Sequence, residues 1–391
     1  MSTVFIGLMS GTSLDGIDGV LIDFASDDSA PLKVLAHDHV EFAADLRAEL
    51  LALNRSGEDE IHRAALAGNR LARAYAEVVA SLLGDAGLVP QQVTAVGCHG
   101  QTVRHRPGEF DAVGYTVQVN APAFLAELCG IDVVADFRSR DVAAGGQGAP
   151  LVPAFHRALF WRAGKATAVL NLGGIANLSS IDADGLTIGF DSGPANALLD
   201  SWCAASTGRR FDAGGAWAAA GKVDVPLLDA LLAEPYFDLP PPKSTGRDLF
   251  NAQWLEARLL ATGARPRRPA QDVQATLAEL TARTAADAVR RHAPTAKELV
   301  VCGGGAFNVD LMARLGAHLA PVAVVSSADR GLPPDEVEAC AFAWLARAFV
   351  HREPGNIQTV TGAMGPRILG ALYPGLGSAP DVKKPPRGGF R

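Results

Sequence analysis

Apolar residues cluster from Val4 to Ser10 and again from Val20 to Phe24, around the polar, glycine-punctuated GTSLDGID. Two short β-branched runs about such a tip predict a β-hairpin. From Leu46 to Leu83 the apolar spacing turns helical, with SGEDE near Ser56 marking a break and an acid-rich restart. VTAVGCHG, Val93 to Gly100, reads as a buried strand ending in a polar loop that holds His99, Gln101 and Thr102. Gly114 to Asn120 and Ile131 to Asp136 read as strands, with a helix from Ala121 to Cys129 between them. AAGGQGAP, Ala143 to Pro150, is a loop before a helix from Leu151 to Arg162, and suits a crossing between domains.

The second half repeats the opening theme. ATAVLNLGGIANLSSI, Ala166 to Ile181, is another apolar–glycine–apolar hairpin; a further strand in GLTIGFDSGPAN and a helix from Ala197 follow. A proline-rich linker, LPPPKSTGRDLFN, precedes two helices, and ELVVCGGGAFNVDLMARL reads as strand, triple-glycine turn and helix. A last helix runs from Asp335 to Val350, and the composition of the tail predicts disorder. Strands alternating with helices indicate α/β layers. At about 150 residues per domain the length suggests two or three domains.

Composition narrows the function classes. A balance of 35 basic against 42 acidic residues, with no long basic run, gives no nucleic-acid footprint. Every long apolar stretch is broken by Gly, Pro or charge, and the N-terminus has no basic segment of the signal-peptide type, which points away from the membrane and to the cytoplasm. The five cysteines form no CxxC pair and the nine histidines no HExxH, so neither a disulfide framework nor a zinc site is indicated.

GLMSGTSLDGID, Gly7 to Asp18, is the first chemical candidate. Its glycine-flanked tip exposes successive backbone N–H groups, and Ser10, Thr12 and Ser13 add hydroxyls, a concavity suited to phosphate oxygens. Asp15 can take a metal through water, or a substrate hydroxyl. The same residues also describe a turn whose small side chains serve local caps. In VLNLGGIANL, Gly173 and Gly174 let the backbone approach an anion; the alternative is a bulged hairpin. In VVCGGGAFN, three glycines between a strand and a helix N-terminus offer room and a dipole for a nucleotide, although such runs also serve packing. Two phosphate-type hairpins plus a late glycine turn form a pattern that no single motif does. No Walker-type GxxxxGK[ST], GxGxxG or GxSxG occurs.

GFDSGPAN delivers Asp191 from a strand into a turn that opens a helix, where a carboxylate acts as general base or as helix cap. Asp136, Arg138 and Asp141 follow a buried strand, suited to gripping a polar substrate or to a structural ion pair. Glu338, after PPDEV, sits where a helix N-terminus favours acids.

Together these residues resemble the anhydro-N-acetylmuramic acid kinase family, peptidoglycan-recycling enzymes of the sugar kinase, heat-shock ATPase and actin superfamily. The resemblance spans Gly7 to Gly362. It rests on LMSGTSLDGID, CHGQT, QVN, VADFR, GGQGAPLVP, NLGGIAN, GFDSGPAN, PPKSTGRDLFN, CGGGAFN and TGA. The family more often has Thr and Gly where Ser192 and Ala195 stand, and Met where Leu14 stands.

The resemblance implies a two-domain, actin-like ATPase (ribonuclease H-like) α/β fold, with mixed sheets flanked by helices and a central cleft for ATP and sugar. Residues 1–135 with 346–375 form domain I and 136–345 domain II, with 376–391 a disordered tail. It assigns ATP to Met9, Ser10, Gly11, Thr12, Ser13, Leu14, Asp15 and Gly16, to Asn171, Gly173, Gly174 and Asn177, and to Gly303, Gly304, Gly305 and Asn308. It makes Asp191 the catalytic base and puts Asn120, Asp136, Arg138 and Glu338 at the sugar. It implies Mg²⁺ on the ATP phosphates, reached by Asp15 through water, and a homodimer.

The implied reaction opens the 1,6-anhydro bridge of the sugar with water and phosphorylates O6. A kinase of another hydroxy compound and a nucleotide-switch ATPase are the rival readings.

Overall fold

The structure, a computed structural model, describes residues 3–11, 14–24, 32–247, 249–263 and 268–376. Thr12, Ser13 and the tail from 377 on lie outside them.

Strand β1 (Val4–Met9) pairs antiparallel with β2 (Gly16–Asp23), placing Met9 opposite Asp18, and β2 pairs antiparallel with β3 (Lys33–Glu41). The second strand starts at Gly16 rather than Val20 because β3, which the apolar pattern does not show, pairs along it from Glu41 onward. Helices α1 (Ala44–Ala52) and α2 (Glu60–Ala86) keep the break near Ser56, and α2 buries Leu71, Tyr75, Val78 and Leu82 against this sheet.

Strand β4 (Ala95–Cys98) runs parallel to β1. Strands β5 (Gln101–Pro107) and β6 (Gly114–Val119) form a separate ribbon, so Gln101 and Thr102 open a strand instead of lying in a loop. Helix α3 (Pro122–Cys129) and strand β7 (Val133–Ala135) fall where the pattern puts them.

After the short α4 (Ser139–Ala143) and α5 (Val152–Phe160), strands β8 (Thr167–Leu172), β9 (Ile175–Ile181) and β10 (Thr187–Pro194) build an antiparallel meander. Helices α6 (Asn196–Thr207), α7 (Ala216–Ala219), α8 (Val225–Leu232), α9 (Ala252–Ala261) and α10 (Ala270–His292) precede β11 (Glu298–Cys302). The chain continues through α11 (Val309–Leu319), β12 (Ala323–Ser326), α12 (Val337–Val350), α13 (Gln358–Thr361) and β13 (Ala371–Tyr373).

The six-stranded sheet is ordered β13-β7-β4-β1-β2-β3 and the five-stranded one β10-β9-β8-β11-β12. Both follow one plan. The third, second and first strands are antiparallel, and the fourth and fifth run parallel to the first. This duplicated order is the ribonuclease H-like topology of actin-like ATPases that the resemblance implies.

Helices α5 and α12 lie between the sheets. Phe155, Leu159, Val337 and Phe342 join Phe5, Ile22 and Val134 of one sheet to Val169, Val300 and Cys302 of the other in a single apolar cluster. Helix α12 touches the first sheet without intervening side chains, because a Cβ on Gly7 would collide with the Ala339 carbonyl and one on Gly97 with that of Phe342. Among the described residues no helix is long and apolar enough to cross a membrane.

Candidate functional site

The β1–β2 tip is braced from behind. The buried Ser10 hydroxyl meets the Tyr75 hydroxyl at 2.8 Å and donates to the Gly100 carbonyl at 3.2 Å. The Gly11 carbonyl accepts from the Gln101 side chain at 3.1 Å and from the Leu14 N–H at 3.2 Å. Leu14 closes the turn in the left-handed region, at φ 57°, with its side chain buried. Asp15 accepts from the Gly16 N–H at 3.1 Å. The Ser10 hydroxyl is thus turned into the protein.

In the β8–β9 hairpin, the Gly173 and Gly174 carbonyls accept the N–H groups of Ala195, Asn196 and Ala197 at the start of α6. Strand register puts Asn171, Asn177 and Asp191 side by side on β8, β9 and β10. Asn177 donates to Asp191 Oδ1 at 2.8 Å, while Asn171 donates to Glu338 Oε1 at 3.1 Å. One row of side chains therefore reaches from Asp191 to the first turn of α12. Gly303, at φ 78°, lies so close to Asn171 that a Cβ would strike its Oδ1. Gly304 and Gly305 follow in a short turn, and Asn308 caps α11 by accepting the Leu311 N–H at 3.0 Å.

Strand β10 shifts register between Asp191 and Gly193, a bulge at Ser192 that interrupts the pairing beside the carboxylate. The second oxygen of Asp191, Oδ2, accepts the Thr245 N–H at 2.9 Å, and its backbone is held by the Tyr236 hydroxyl and the Lys243 carbonyl. Burial pushes the Asp191 carboxyl above its ordinary pKa, opposed by Asn177, the Thr245 N–H and the Lys243 charge. Each oxygen keeps a lone pair for a further partner.

At the end of the first sheet, Arg138 donates from Nε to His99 Nε2 at 3.0 Å and from Nη1 to the Gly148 carbonyl at 2.8 Å. Burial lowers its pKa to about 10, opposed by Glu338 and Asp141. An acceptor Nε2 requires neutral His99, consistent with a ring pKa driven well down by burial and by Arg138. Glu338 is raised by burial and by Asp18 and Asp15, and lowered by Arg138 and Asn171, so it sits between the first hairpin and the arginine. Asp136 is exposed, left-handed at φ 59°, and bonded to Ser139. Both polar ends of Asn120 are used locally, on the Ala121 N–H and Cys98 Sγ.

A family model described as Anhydro-N-acetylmuramic acid kinase matches residues 3–375, which takes in every element of both sheets. The chain belongs to that family. A relative called anhydro-N-acetylmuramic acid kinase in Variovorax paradoxus is 61% identical over 95% of this chain and 99% of its own length. Another of that name, in Cupriavidus pinatubonensis, is 59% identical over 95% and 98%. Among solved structures, an activator of the 2-hydroxyisocaproyl-CoA dehydratase from Clostridium difficile with bound ADPNP is similar at 12% identity and a TM-score of 0.48, over 89% of this chain and 96% of that one.

Three neighbours of Asp191 escape a reading of the sequence in the light of the anhydro-N-acetylmuramic acid kinase family. Tyr236, Lys243 and Thr245 all come from the segment before α9. Lys243 and Thr245 lie in PPKSTGRDLFN, one of the runs that carry the resemblance, which gave them no role.

Proposed function

We propose that the chain is an ATP-dependent kinase that opens 1,6-anhydro-N-acetylmuramic acid with water and phosphorylates its O6, giving N-acetylmuramic acid 6-phosphate and ADP in peptidoglycan recycling. Family membership supports the activity. The observation that carries the chemistry is the row Asp191–Asn177–Asn171–Glu338, which ties a half-buried carboxylate at a strand bulge to the region between the two hairpins.

In this reading a water attacks C1 and gives its proton to Asp191. The C1–O6 bond breaks as O6 forms its bond to the γ-phosphorus, and ADP leaves. Asn177 and the Thr245 N–H hold the carboxylate in place, while burial raises its basicity, a general-base contribution on the order of 10²–10⁴-fold. Phosphoryl transfer itself needs position and charge neutralisation. Backbone groups of the β1–β2 tip and of Gly173 and Gly174 take the phosphates, Gly303 to Gly305 the adenosine side, and Arg138 the sugar.

Among the described residues no group of three or more ligating side chains gathers into a metal cage. That suits Mg²⁺, which is held by one or two carboxylates, water and substrate phosphates. Asp15 is the residue that would hold it, through water, neutralising charge on the phosphates. A division into two lobes, supported by the two separate sheets and with α12 packed on the first of them, a homodimer, and a cytoplasmic location belong to the same reading.

Mass spectrometry of the product formed from the anhydro sugar, ATP and Mg²⁺ in ¹⁸O-enriched water tests it. The expected product is a 6-phosphosugar with one heavy oxygen at C1, read promptly because the anomeric oxygen exchanges. A phosphosugar without label at C1, or none at all, overturns the coupled mechanism.

A further inference from the structure

Arg138 is a buried guanidinium held by two neutral acceptors, His99 Nε2 and the Gly148 carbonyl. Neither is a charge; Glu338 and Asp141 act on it only as nearby charges, and the two hydrogen bonds set where its remaining donors point. The Gly148 peptide is the unit that does so. Its carbonyl takes Arg138 Nη1, and its N–H donates at 2.7 Å to Oδ2 of Asp141, a residue with no solvent exposure. Gly148 stands at φ 66°, where a Cβ would come 2.8 Å from Val142 Cγ2, so the peptide is held in a conformation only glycine adopts without strain.

The other oxygen of Asp141 anchors the carboxylate to a distant part of the chain. Oδ1 accepts from Asn356 Nδ2 at 2.6 Å and from Thr361 Oγ1 at 2.7 Å. The loop between them is pinned twice more, by the Gln147 N–H on the Thr361 carbonyl and the Met364 N–H on the Ala144 carbonyl. All three partners of the carboxylate are donors, and an ionised carboxyl is the one side chain that accepts at both oxygens. Its charge also favours the protonated guanidinium of Arg138.

We propose that Asp141 is a positioning residue for Arg138: it fixes the Gly148 peptide, and the peptide fixes the guanidinium against the sugar. This rests on the reading that puts Arg138 at the substrate. Asp141 itself touches no substrate.

The test is a double-mutant cycle on the full-length enzyme, with kcat, the KM for the anhydro sugar, the KM for ATP and the melting temperature read for each variant. Asp141→Asn keeps the shape but puts an amide N–H₂ against a donor. It is expected to raise the sugar KM about tenfold while leaving the ATP KM within about twofold. Arg138→Lys is expected to do the same, and the double variant to be no worse than the worse single one, because both act through one group.

Thr361→Val removes a donor from Oδ1 without touching Gly148, and is expected to lower the melting temperature and leave the sugar KM alone. This variant decides the matter if Asp141→Asn does not fold: a sugar KM that climbs with the loss of stability would make Asp141 a structural anchor and overturn the proposal. Additive losses in the cycle overturn it too. If Arg138→Lys leaves the sugar KM unchanged, the placement of Arg138 at the sugar fails, and the role of Asp141 with it.

Discussion

Asp191 is held by three kinds of contact that pull its acidity in different directions. Burial raises its pKa; the Asn177 amide, the Thr245 N–H and the Lys243 charge lower it. As a base it must be ionised, so turnover falls as pH drops through that raised pKa, and the acid limb of kcat lies above the ordinary carboxylate range. Asn177→Ala removes a donor that favours the charged form. The limb should therefore move to still higher pH, which a pH series of kcat on the variant checks; an unmoved limb would detach Asn177 from the base. Asp191→Asn should keep the fold and nucleotide binding and lose about 10²–10⁴-fold in kcat. Fluorescence titration with an ATP analogue beside single-turnover assays separates the two effects.

At the scale of elements, the contact of α12 with β1 and β4 depends on two missing side chains. Gly7→Ala drives a methyl into the Ala339 carbonyl. Neither strand nor helix has room to give, and a loss of about 3 kcal/mol or more is expected, seen as a fall in the urea midpoint. The elements with strong apolar periods were legible in the sequence: both hairpins, the α1–α2 pair, and the strand–glycine–helix unit at Gly303. Strand β3 was not, because LAHDHV mixes polar and apolar positions on an edge where no residue is fully buried. Strand β5 was hidden for a similar reason, and β13 has only three residues. The site divides along the same line. Asp191 and Asn177 stood out as an acid and an amide in glycine-rich turns, although the sequence set Asn177 at ATP and the structure bonds it to Asp191. Thr245 was not, since it contributes a backbone N–H that any residue owns, and Asn171 joined Glu338 only once β8 and α12 were brought together.

At the scale of the molecule, the two sheets meet through α5 and α12, and an exposed pair of 2.7 Å joins Glu41, at the end of β3, to Arg210, just after α6, too solvated to hold the halves shut. A cleft that transfers a phosphoryl group must keep bulk water from ATP, so the two halves should close on their ligands. Small-angle scattering with a non-hydrolysable ATP analogue and sugar should show a smaller radius of gyration than without them. Superimposable profiles would count against closure.

The bare glycines beneath α12 make that helix part of the first sheet's rigid body, and Glu338 rides on it together with Asp15, Asp18 and Arg138. Asn171 belongs to the other body, so opening pulls its amide away from Glu338. The carboxyl then loses a donor that favours its charged form, while any water that enters relieves the burial that chiefly raises its pKa, so the two changes oppose each other. The Asn171–Glu338 bond is thereby a latch between the two bodies, made only while they lie together.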